Sequence, residues 1–421
     1  MTIGIIGLGY VGLPLSLAFA EARQAVIGFD IDTDKVTKVN QGHTYFRHIP
    51  EERIQAVVTS NFLTATTEFS LISDCEAVII CVPTPLSRYR EPDISYILQT
   101  AKNISRWLKP QVLVVLESTT YPGTTSGELR EVLESISGLR AGIDFYLAYS
   151  PEREDPGNPQ SDIRLIPKVV GGYTPKCLER ALELYSPVVK KVVPVSSCQV
   201  AEATKLTENI FRSVNIALVN ELKMVYDAMG IDIWEVISAA KTKPFGFMPF
   251  YPGPGLGGHC IPIDPFYLTW KAREFGQHTR FIELAGEINQ QMPAYVVEKV
   301  VNALNNEGKP MKNARILLLG IAYKPDVDDD RESPAYRLME LLELRGAQVF
   351  FHDPHISMIP EIRRYPSYAG RLSVPFELGY DLYLLVTAHS SFRNYDFSVL
   401  DAPLIDTRGF VAKRPAKYYR A

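Results

Sequence analysis

A strand, a glycine-rich turn, a helix and a second strand follow one another at the start of the sequence. Residues 3–6 are apolar, Gly7-Leu-Gly-Tyr-Val-Gly12 follows, and residues 13–20 have the composition of a buried helix. In this order of elements the first glycine permits a tight turn, the second lets a pyrophosphate approach the backbone, and the third lets helix and strand pack closely. The helix N-terminus offers N–H groups to the phosphates. The pattern predicts a dinucleotide-binding domain with Gly7, Gly9 and Gly12 in its phosphate loop.

The second strand, residues 25–30, ends in Asp30. A carboxylate at this position can accept hydrogen bonds from a ribose 2′-hydroxyl and repels a phosphate placed there. The sequence therefore predicts NAD as the cofactor, in preference to NADP.

Three further apolar runs, residues 76–82, 112–116 and 145–149, each end in a polar turn that contains proline. The carboxyl ends of parallel strands meet at one edge of a sheet, where ligands bind. We therefore expect one crevice to be lined by Thr84, Thr119, Thr120, Glu152 and Arg153. The alternative is that threonine and proline only cap the strands.

A long helical segment covers residues 201–230 and ends at a glycine. Lys205 and Asn209 are four residues apart, so they share one face and can reach the same ligand. A solvated lysine on a helix surface is the alternative interpretation. A helix of this length after a nucleotide-binding domain often joins domains or subunits, so we expect it in the contact of a homodimer or higher homo-oligomer.

A second series of strands begins at residue 315, with apolar runs at 315–320, 347–351, 381–387 and 403–409. It contains no glycine motif of the first kind, and Lys324 and Arg331 are its candidate anion contacts. The predicted fold class is α/β: two Rossmann-like, doubly wound parallel-sheet domains joined by a central helical segment. The predicted boundaries are 1–199, 200–306 and 307–421.

Residues 251–265 contain four glycines and four prolines, which exclude a helix interior or a regular strand. Cys260 lies in this loop, and Asp264 follows four residues later. Glycines beside a cysteine let a ligand approach the sulfur, and a nearby carboxylate can hold a water or take a proton. The alternative is a structural loop that carries a small buried cysteine.

The formal net charge is −4 and the sequence has no basic block, so nucleic acid is a poor candidate partner. The five cysteines show no zinc-ligand spacing, which favours a reducing compartment. No apolar run reaches the roughly 18 residues of a membrane-spanning helix, and the first residues do not resemble a signal peptide. We therefore expect a cytoplasmic protein without a membrane partner.

Two histidines, His352 and His355, flank an Asp-Pro pair at a predicted strand end. The sequence places no third ligand near them, so no metal site is predicted. The basic segment 413–420 is predicted to be a solvated end.

Together the motifs resemble those of the UDP-glucose/GDP-mannose dehydrogenase family along nearly the whole chain. The UDP-glucose branch usually has serine before the cysteine and lysine before the aspartate, where this sequence has His259 and Ile263. The chain resembles instead the branch that acts on UDP-N-acetylhexosamines, and we expect UDP-N-acetylglucosamine as substrate. The segments that carry the resemblance are Gly7-Leu-Gly-Tyr-Val-Gly12, Val82-Pro-Thr-Pro85, Ser150-Pro-Glu-Arg153, Lys205 with Asn209, Gly257-Gly-His-Cys260 with Asp264, and Lys324 with Arg331-Glu-Ser333.

The resemblance implies oxidation of the sugar C6 alcohol to a carboxylate with two NAD⁺, for surface polysaccharide (O-antigen) synthesis. It implies a thiohemiacetal and then a thioester on the catalytic cysteine. The implied catalytic residues are Cys260, Lys205, Asn209, Asp264, Glu152 and Thr120. The implied NAD contacts are Gly7, Gly9, Tyr10, Val11, Gly12, Asp30, Lys35, Thr84, Thr119, Thr120 and Arg331. The implied UDP-sugar contacts are Glu152, Arg153, Lys205, Asn209, Tyr251, Gly255, Gly258, Lys324 and Arg408.

Two alternatives stay open at the level of sequence. The same chemistry could act on UDP-N-acetylgalactosamine, UDP-N-acetylmannosamine or UDP-glucose, because the stereochemistry of one hydroxyl leaves no motif. A protein of another class, a non-catalytic NAD-binding redox sensor, would use the thiol of Cys260 as its sensing group.

Overall fold

The computed structural model describes residues 1–46, 49–87, 91–153, 163–258, 261–362 and 364–421. The chain forms two compact units. The first contains Met1–Glu208 and Phe266–His278, and the second contains Asn209–Pro265 and Thr279–Ala421. The chain therefore leaves the first unit, returns to it for one short segment and leaves it again.

The first unit is built on an eight-stranded sheet with the order β3-β2-β1-β4-β5-β6-β7-β8. Neighbouring strands are parallel except β6 and β7, which are antiparallel. The central strands β4 and β5 are buried throughout, as is typical of a parallel sheet covered on both faces. The strands are β1 Thr2–Ile6, β2 Ala25–Phe29, β3 Leu63–Thr66, β4 Ala77–Ile80, β5 Leu113–Leu116, β6 Tyr146–Tyr149, β7 Lys168–Gly172 and β8 Val192–Val195.

Helices cover both faces of this sheet. Successive residues of a strand point to opposite faces, so each strand contributes side chains to two apolar cores. Ile79 and Val115 belong to one apolar core, whereas Val78 and Val114 belong to another. The first core also includes residues of α1, α3 and α6, and the second includes residues of α4, α5 and the start of α7. These helices are α1 Gly12–Glu21, α2 Thr33–Asn40, α3 Glu51–Thr59, α4 Ser95–Ser105, α5 Arg130–Ser137, α6 Pro175–Tyr185 and α7 Cys198–Ala228.

The second unit contains a five-stranded parallel sheet with the order β10-β9-β11-β12-β13. Its strands are β9 Arg315–Leu319, β10 Gln348–His352, β11 Leu382–Leu385, β12 Leu404–Asp406 and β13 Tyr418–Arg420. Its helices are α8 Ile233–Ala240, α10 Arg280–Asn306 and α11 Pro334–Leu344. Helix α9, Asp264–Glu274, lies mostly in the first unit, which contains Phe266–His278. The chain thus has two sheets of mainly parallel strands, each packed with helices, and a helical segment between them in the sequence. This architecture confirms the predicted α/β fold class.

The prediction that residues 413–420 form a solvated end is wrong in one respect, because this segment contains the edge strand β13. β13 pairs with β12, and the hydroxyl of Tyr418 donates to Asp406 Oδ2 at 2.9 Å. Tyr418 and Tyr419 are half-buried, and their rings pack against apolar clusters of the second unit. The basic residues around them in the sequence gave no indication of this packing.

Within the described part of the chain, no helix combines the length and the apolar character needed to cross a membrane.

Candidate active site

The glycine turn has the geometry that a pyrophosphate requires. Gly7 has φ +92°, and a Cβ on Gly12 would lie 1.8 Å from Gly7 O, so neither position accepts a side chain. A Cβ on Gly9 would meet no atom within 4 Å. Helix α1 begins at Gly12 without an acidic residue in its first turn, which leaves its N-terminal dipole available to an anion. This open space at Gly9 in front of a helix N-terminus fits the phosphates of NAD.

Asp30 is 8 % exposed and holds the glycine turn in place. Its Oδ2 accepts the Leu8 N–H at 2.8 Å, and its Oδ1 accepts the Asp32 N–H at 3.0 Å. Lys35 Nζ lies 3.9 Å from Asp30 Oδ2. The carboxylate therefore orders the backbone around the predicted ribose position, and its contact with the ribose stays a prediction.

Thr84 and the turn after β5 form another part of the predicted crevice. The buried hydroxyl of Tyr267, in α9, donates to Thr84 O at 3.0 Å and to Pro85 O at 3.2 Å. Thr120 is fully buried, and its Oγ1 lies 2.6 Å from Thr124 Oγ1. Thr119 is half-buried. The contact of Tyr267 with Thr84 was not predicted, because the two residues are 183 positions apart and no local sequence pattern connects them.

The hydroxyl of Thr124 also donates to Tyr121 O at 3.0 Å. A hydroxyl carries one proton, so while Thr124 donates to this carbonyl, Thr120 is the donor between the two threonines. In that arrangement the lone pairs of Thr120 Oγ1 remain as hydrogen-bond acceptors.

Lys205 is buried in the first unit beside Glu152. Its Nζ donates to Glu152 O at 2.5 Å and lies 3.5 Å from Glu152 Oε2. Arg153 forms a bidentate ion pair with Glu208, and its Nη1 donates to Pro167 O at 2.7 Å. The structure thus brings Lys205 and Glu152 together, and it adds Glu208 as an internal partner for Arg153.

Asn209 and Asp264 are in contact within the second unit. Asn209 Nδ2 donates to Asp264 Oδ2 at 2.5 Å, and the two residues are 3 % and 1 % exposed. A buried carboxylate that accepts an amide N–H is ordered and can hold a further donor. The spacing of Lys205 and Asn209 indicated a shared helix face, but the contact with Asp264 could not be seen from sequence.

The glycine- and proline-rich loop is held by a backbone hydrogen bond to Arg331, which the sequence predicts as an NAD contact. The Gly258 N–H donates to Arg331 O at 3.0 Å, and Gly258 has φ +79°. Gly255 has φ +131°. Tyr251 is 50 % exposed, and His259 and Cys260 lie outside the described residues.

Arg408 lies directly on this loop. A Cβ on Gly253 would be 2.4 Å from Arg408 Nη1, and the Arg408 Nε donates to Val386 O at 2.8 Å. Burial lowers the pKa of the Arg408 guanidinium to about 10. The Gly253 N–H donates to the buried Asn220 Oδ1 at 3.0 Å, so this amide holds the loop backbone at Gly253.

The loop between β9 and α11 carries the remaining predicted residues. Lys324 is half-buried, with Nζ 5.6 Å from the centroid of the Tyr323 ring. The guanidinium of Arg331 pairs with Asp329 at 2.6 Å. Both cations therefore lie on the loop that contacts Gly258.

A trio of candidate metal ligands, Asp326, His355 and His389, is present in the described residues, so the expectation that no third ligand lies near His355 is wrong. His389 Nδ1 accepts the Asp326 N–H at 3.0 Å, and His389 Nε2 lies 3.1 Å from Asp353 Oδ2. Since Nδ1 is the acceptor, Nε2 carries the proton and donates to Asp353. Neither ring nitrogen of His389 then has a lone pair for a cation, and the trio is explained as a loop-ordering hydrogen-bond network.

Comparisons with known proteins place three successive segments of the chain in one family. Residues 1–189 match the NAD binding domain of the UDP-glucose/GDP-mannose dehydrogenase family, residues 199–291 its central domain, and residues 317–413 its UDP binding domain.

Similar proteins have related sugar substrates in their names. The chain is 36 % identical to UDP-N-acetyl-D-glucosamine 6-dehydrogenase of Pseudomonas aeruginosa over 94 % of this chain and 92 % of that protein. It is 36 % identical to UDP-N-acetyl-D-mannosamine dehydrogenase of Escherichia coli K12 over 86 % of this chain and 87 % of that protein.

A solved structure, the UDP-D-ManNAc dehydrogenase of Pyrococcus horikoshii, is similar with a TM-score of 0.90 and 31 % identity, covering 100 % of this chain and 99 % of that one. The glycine turn, the two parallel sheets and the three matched domains agree with one another. The chain belongs to the UDP-glucose/GDP-mannose dehydrogenase family and is an NAD-dependent nucleotide-sugar dehydrogenase.

Proposed function

We propose that this enzyme oxidises the C6 alcohol of UDP-N-acetylglucosamine to the uronic acid, as a step in surface polysaccharide (O-antigen) synthesis. The observation that carries the proposal is the 36 % identity to the Pseudomonas aeruginosa UDP-N-acetyl-D-glucosamine 6-dehydrogenase over nearly the full length. The residues His259 and Ile263 beside the loop cysteine and Asp264 support the same branch.

The proposed reaction removes two hydrides from C6. Bound NAD⁺ supplies the acceptor for each hydride. The Cys260 thiolate adds to the carbonyl carbon of the intermediate aldehyde and forms a C–S bond, because the resulting thiohemiacetal is a better hydride donor than the aldehyde. Loss of the second hydride leaves a thioester, and water cleaves its C–S bond to release the carboxylate and the thiolate. One water is consumed and two NADH form per acid.

The proposed catalytic residues stabilise charge and move protons around this carbon. Lys205 and Asn209 donate to the developing oxyanion, and one such donor contributes roughly 3–4 kcal/mol to transition-state stabilisation. The 2.5 Å contact between Asn209 and Asp264 supports a role for this carboxylate in holding a water. Thr120 accepts the second hydrogen bond of that water through a lone pair of its hydroxyl oxygen. Glu152 assists hydrolysis of the thioester.

The proposed binding residues divide between the three sequence segments 1–199, 200–306 and 307–421. Lys35, Tyr10, Val11 and Thr119 contact NAD with the glycine turn, and Arg331 contacts its pyrophosphate. The UDP-sugar is held by Arg153, Tyr251, Gly255, Gly258, Lys324 and Arg408. The loop contacts of Gly258 with Arg331 and of Gly253 with Arg408 support this assignment.

The substrate is tested by measuring NADH formation with UDP-N-acetylglucosamine, UDP-N-acetylgalactosamine, UDP-N-acetylmannosamine and UDP-glucose. We expect the highest kcat/KM with UDP-N-acetylglucosamine and two NADH per acid. A higher kcat/KM with another sugar selects one of the alternative substrates, and no turnover with any of them favours the redox sensor. The names of relatives include N-acetylmannosamine and N-acetylgalactosaminuronic acid, which is why the panel needs all these epimers.

The cysteine is tested by Cys260→Ser, with Cys75→Ser as the matched control. Cys75 is buried and free, and burial raises the pKa of its thiol to about 12, so it is not a nucleophile at neutral pH. We expect Cys260→Ser to stop before acid is released and Cys75→Ser to behave as the parent. Equal acid production by both variants would remove Cys260 from the mechanism.

We further propose that the enzyme is a cytoplasmic homodimer or higher homo-oligomer. The four cysteines in the described residues form no disulfide with one another, which agrees with a reducing compartment. Phe211, Leu218 and Val225 repeat every seven residues along α7 and are 50 %, 53 % and 48 % exposed. An apolar stripe of this spacing favours contact with a second helix.

A further inference from the structure

Glu202 is a buried carboxylate that the proposed chemistry does not use. It lies in α7 and is 0 % exposed. Its Oε2 accepts the Gly123 N–H at 2.6 Å, and its Oε1 accepts the Thr125 N–H at 2.9 Å and the Thr125 hydroxyl at 2.7 Å. One side chain therefore holds three donors of the turn that follows β5.

These donors flank the residue that orients Thr120. Thr124 lies between Gly123 and Thr125, and its hydroxyl is 2.6 Å from Thr120 Oγ1. Gly123 has φ +107°, a conformation that glycine adopts readily and other residues adopt rarely. Because glycine can leave this conformation as easily, the hydrogen bonds of Glu202 give the backbone support. The carboxylate supplies that support on both sides of Thr124.

Glu202 is carried by the same helix as Lys205. Glu202 and Lys205 are three residues apart in α7, which makes them neighbours on the helix surface. Lys205 in turn contacts the backbone and carboxylate of Glu152. All of these residues belong to the first unit. Glu202 is thus the link between the support of Thr120 and the helix that carries Lys205.

We propose that Glu202 is a positioning residue of the oxidation, which holds Thr120 and Lys205 in a fixed relation by clamping the turn Gly123–Thr125 onto α7. This inference rests on the proposed function, because Thr120 and Lys205 act there. Glu202 does not touch the substrate. It orders the turn through Gly123 and Thr125, and the turn orders the hydroxyl of Thr120 through Thr124.

A carboxylate is required at this position because the turn presents only donors to it. In Glu202→Gln the amide oxygen replaces one acceptor, but the amide nitrogen places its own N–H groups against a backbone N–H. A buried donor that is left without an acceptor destabilises the turn, so the turn shifts to relieve the clash. Burial raises the pKa of the Glu202 carboxyl to about 7, and an assay at alkaline pH keeps it ionised.

The control is Glu128→Gln. Glu128 lies in the helical segment Thr125–Leu129 directly after the turn and accepts the Tyr121 hydroxyl at 2.8 Å, but it makes no contact with α7 in the hydrogen bonds of the described residues. We expect Glu202→Gln to lower kcat by about 10- to 100-fold, since small displacements of positioned groups have effects of this size. KM for NAD⁺ should change much less, and Glu128→Gln should behave as the parent.

A double-mutant cycle with Thr124→Val separates positioning from general loss of structure. Thr124→Val removes the hydroxyl through which the clamp acts. We therefore expect the double variant to have about the kcat of the more impaired single variant. Effects that multiply would overturn the proposed route, and so would a kcat loss in Glu202→Gln that only matches its loss of folded protein.

Hydrogen exchange of the backbone amides of residues 118–130 tests the clamp without any substrate. We expect faster exchange in Glu202→Gln and parent exchange in Glu128→Gln. Unchanged exchange in Glu202→Gln would refute the clamp and leave the proposed function untouched. A parent enzyme that oxidises no UDP-sugar would instead refute the proposed function and, with it, the catalytic part of this inference.

Discussion

The glycines of the two binding loops differ in what a side chain would meet. At Gly12 a Cβ would lie 1.8 Å from a backbone oxygen, so no rearrangement short of moving the turn accommodates it. At Gly9 it would point into open space. At Gly253 it would meet the end of the Arg408 side chain, which can move. An added side chain therefore meets fixed backbone at Gly12, open space at Gly9 and a movable side chain at Gly253.

Substituting Gly253→Ala tests the role of Arg408. The guanidinium must move because its Nη1 lies 2.4 Å from the new Cβ position. We expect the free energy of unfolding to change by less than about 1 kcal/mol, since a flexible side chain absorbs the clash. KM for the UDP-sugar should rise about tenfold, because a charge-assisted hydrogen bond contributes roughly 1.5–3 kcal/mol.

Steady-state kinetics and urea unfolding provide these two measurements. Gly127→Ala is the matched control, because a Cβ at Gly127 meets nothing within 4 Å. An unchanged KM in Gly253→Ala would argue that Arg408 does not hold the substrate.

At the scale of elements, a buried ion pair connects the strands on either side of β6. Lys168 begins β7 and Glu117 directly follows β5, and their charged atoms are 2.7 Å apart. The fully buried Tyr185 donates its hydroxyl to Glu117 Oε1 at 2.5 Å. The register pairs Tyr149 with Gly171, so Lys168 lies beyond the end of β6. The pair thus fixes the turn that leads to Thr119 and Thr120.

Substituting Lys168→Met tests this pair. It leaves the Glu117 carboxylate buried without its cation, and breaking a buried pair in this way costs roughly 3–5 kcal/mol. We expect the double variant Lys168→Met/Glu117→Gln to recover part of that loss, because it buries no net charge. Urea unfolding of the three proteins measures both effects.

The control is Lys309→Met, which breaks the surface pair of Lys309 with Asp381. An exposed pair contributes about 0–1 kcal/mol. If Lys168→Met were no more destabilised than Lys309→Met, the buried pair would have no structural role.

At the scale of the whole molecule, α7 is the element shared by both compact units. It carries Lys205 in the first unit and Asn209 in the second. Its stripe of Phe211, Leu218 and Val225 is exposed although these residues are large and apolar. An exposed apolar stripe on a long helix indicates a protein contact, which is the basis for the proposed oligomer.

Substituting Leu218→Glu tests this contact. A charge at the centre of the stripe must be desolvated in a helix–helix interface, so we expect a lower molar mass than that of the parent by light scattering. Leu344→Glu is the control, since Leu344 is 75 % exposed in α11 and lies outside the stripe. A parent that is already monomeric, or a Leu218→Glu variant with the parent mass, contradicts the proposed contact.

Local patterns were sufficient for the features that depend on neighbouring residues. The glycine turn, the buried parallel strands, the long helix and the second strand series all follow from spacing and turn chemistry. The shared helix face of Lys205 and Asn209 follows from the helical repeat. The role of Cys260 rests on sequence alone, because that residue lies outside the described part of the chain.

Tertiary structure decided which distant residues became partners. The contacts of Glu202 with Gly123, of Lys168 with Glu117 and of Asn209 with Asp264 join residues that are 79, 51 and 55 positions apart. The edge strand Tyr418–Arg420 likewise forms through backbone hydrogen bonds with β12. Sequence periodicity determines the local conformation and buried face of a segment, whereas a buried charge acquires its partner only when packing brings two segments together.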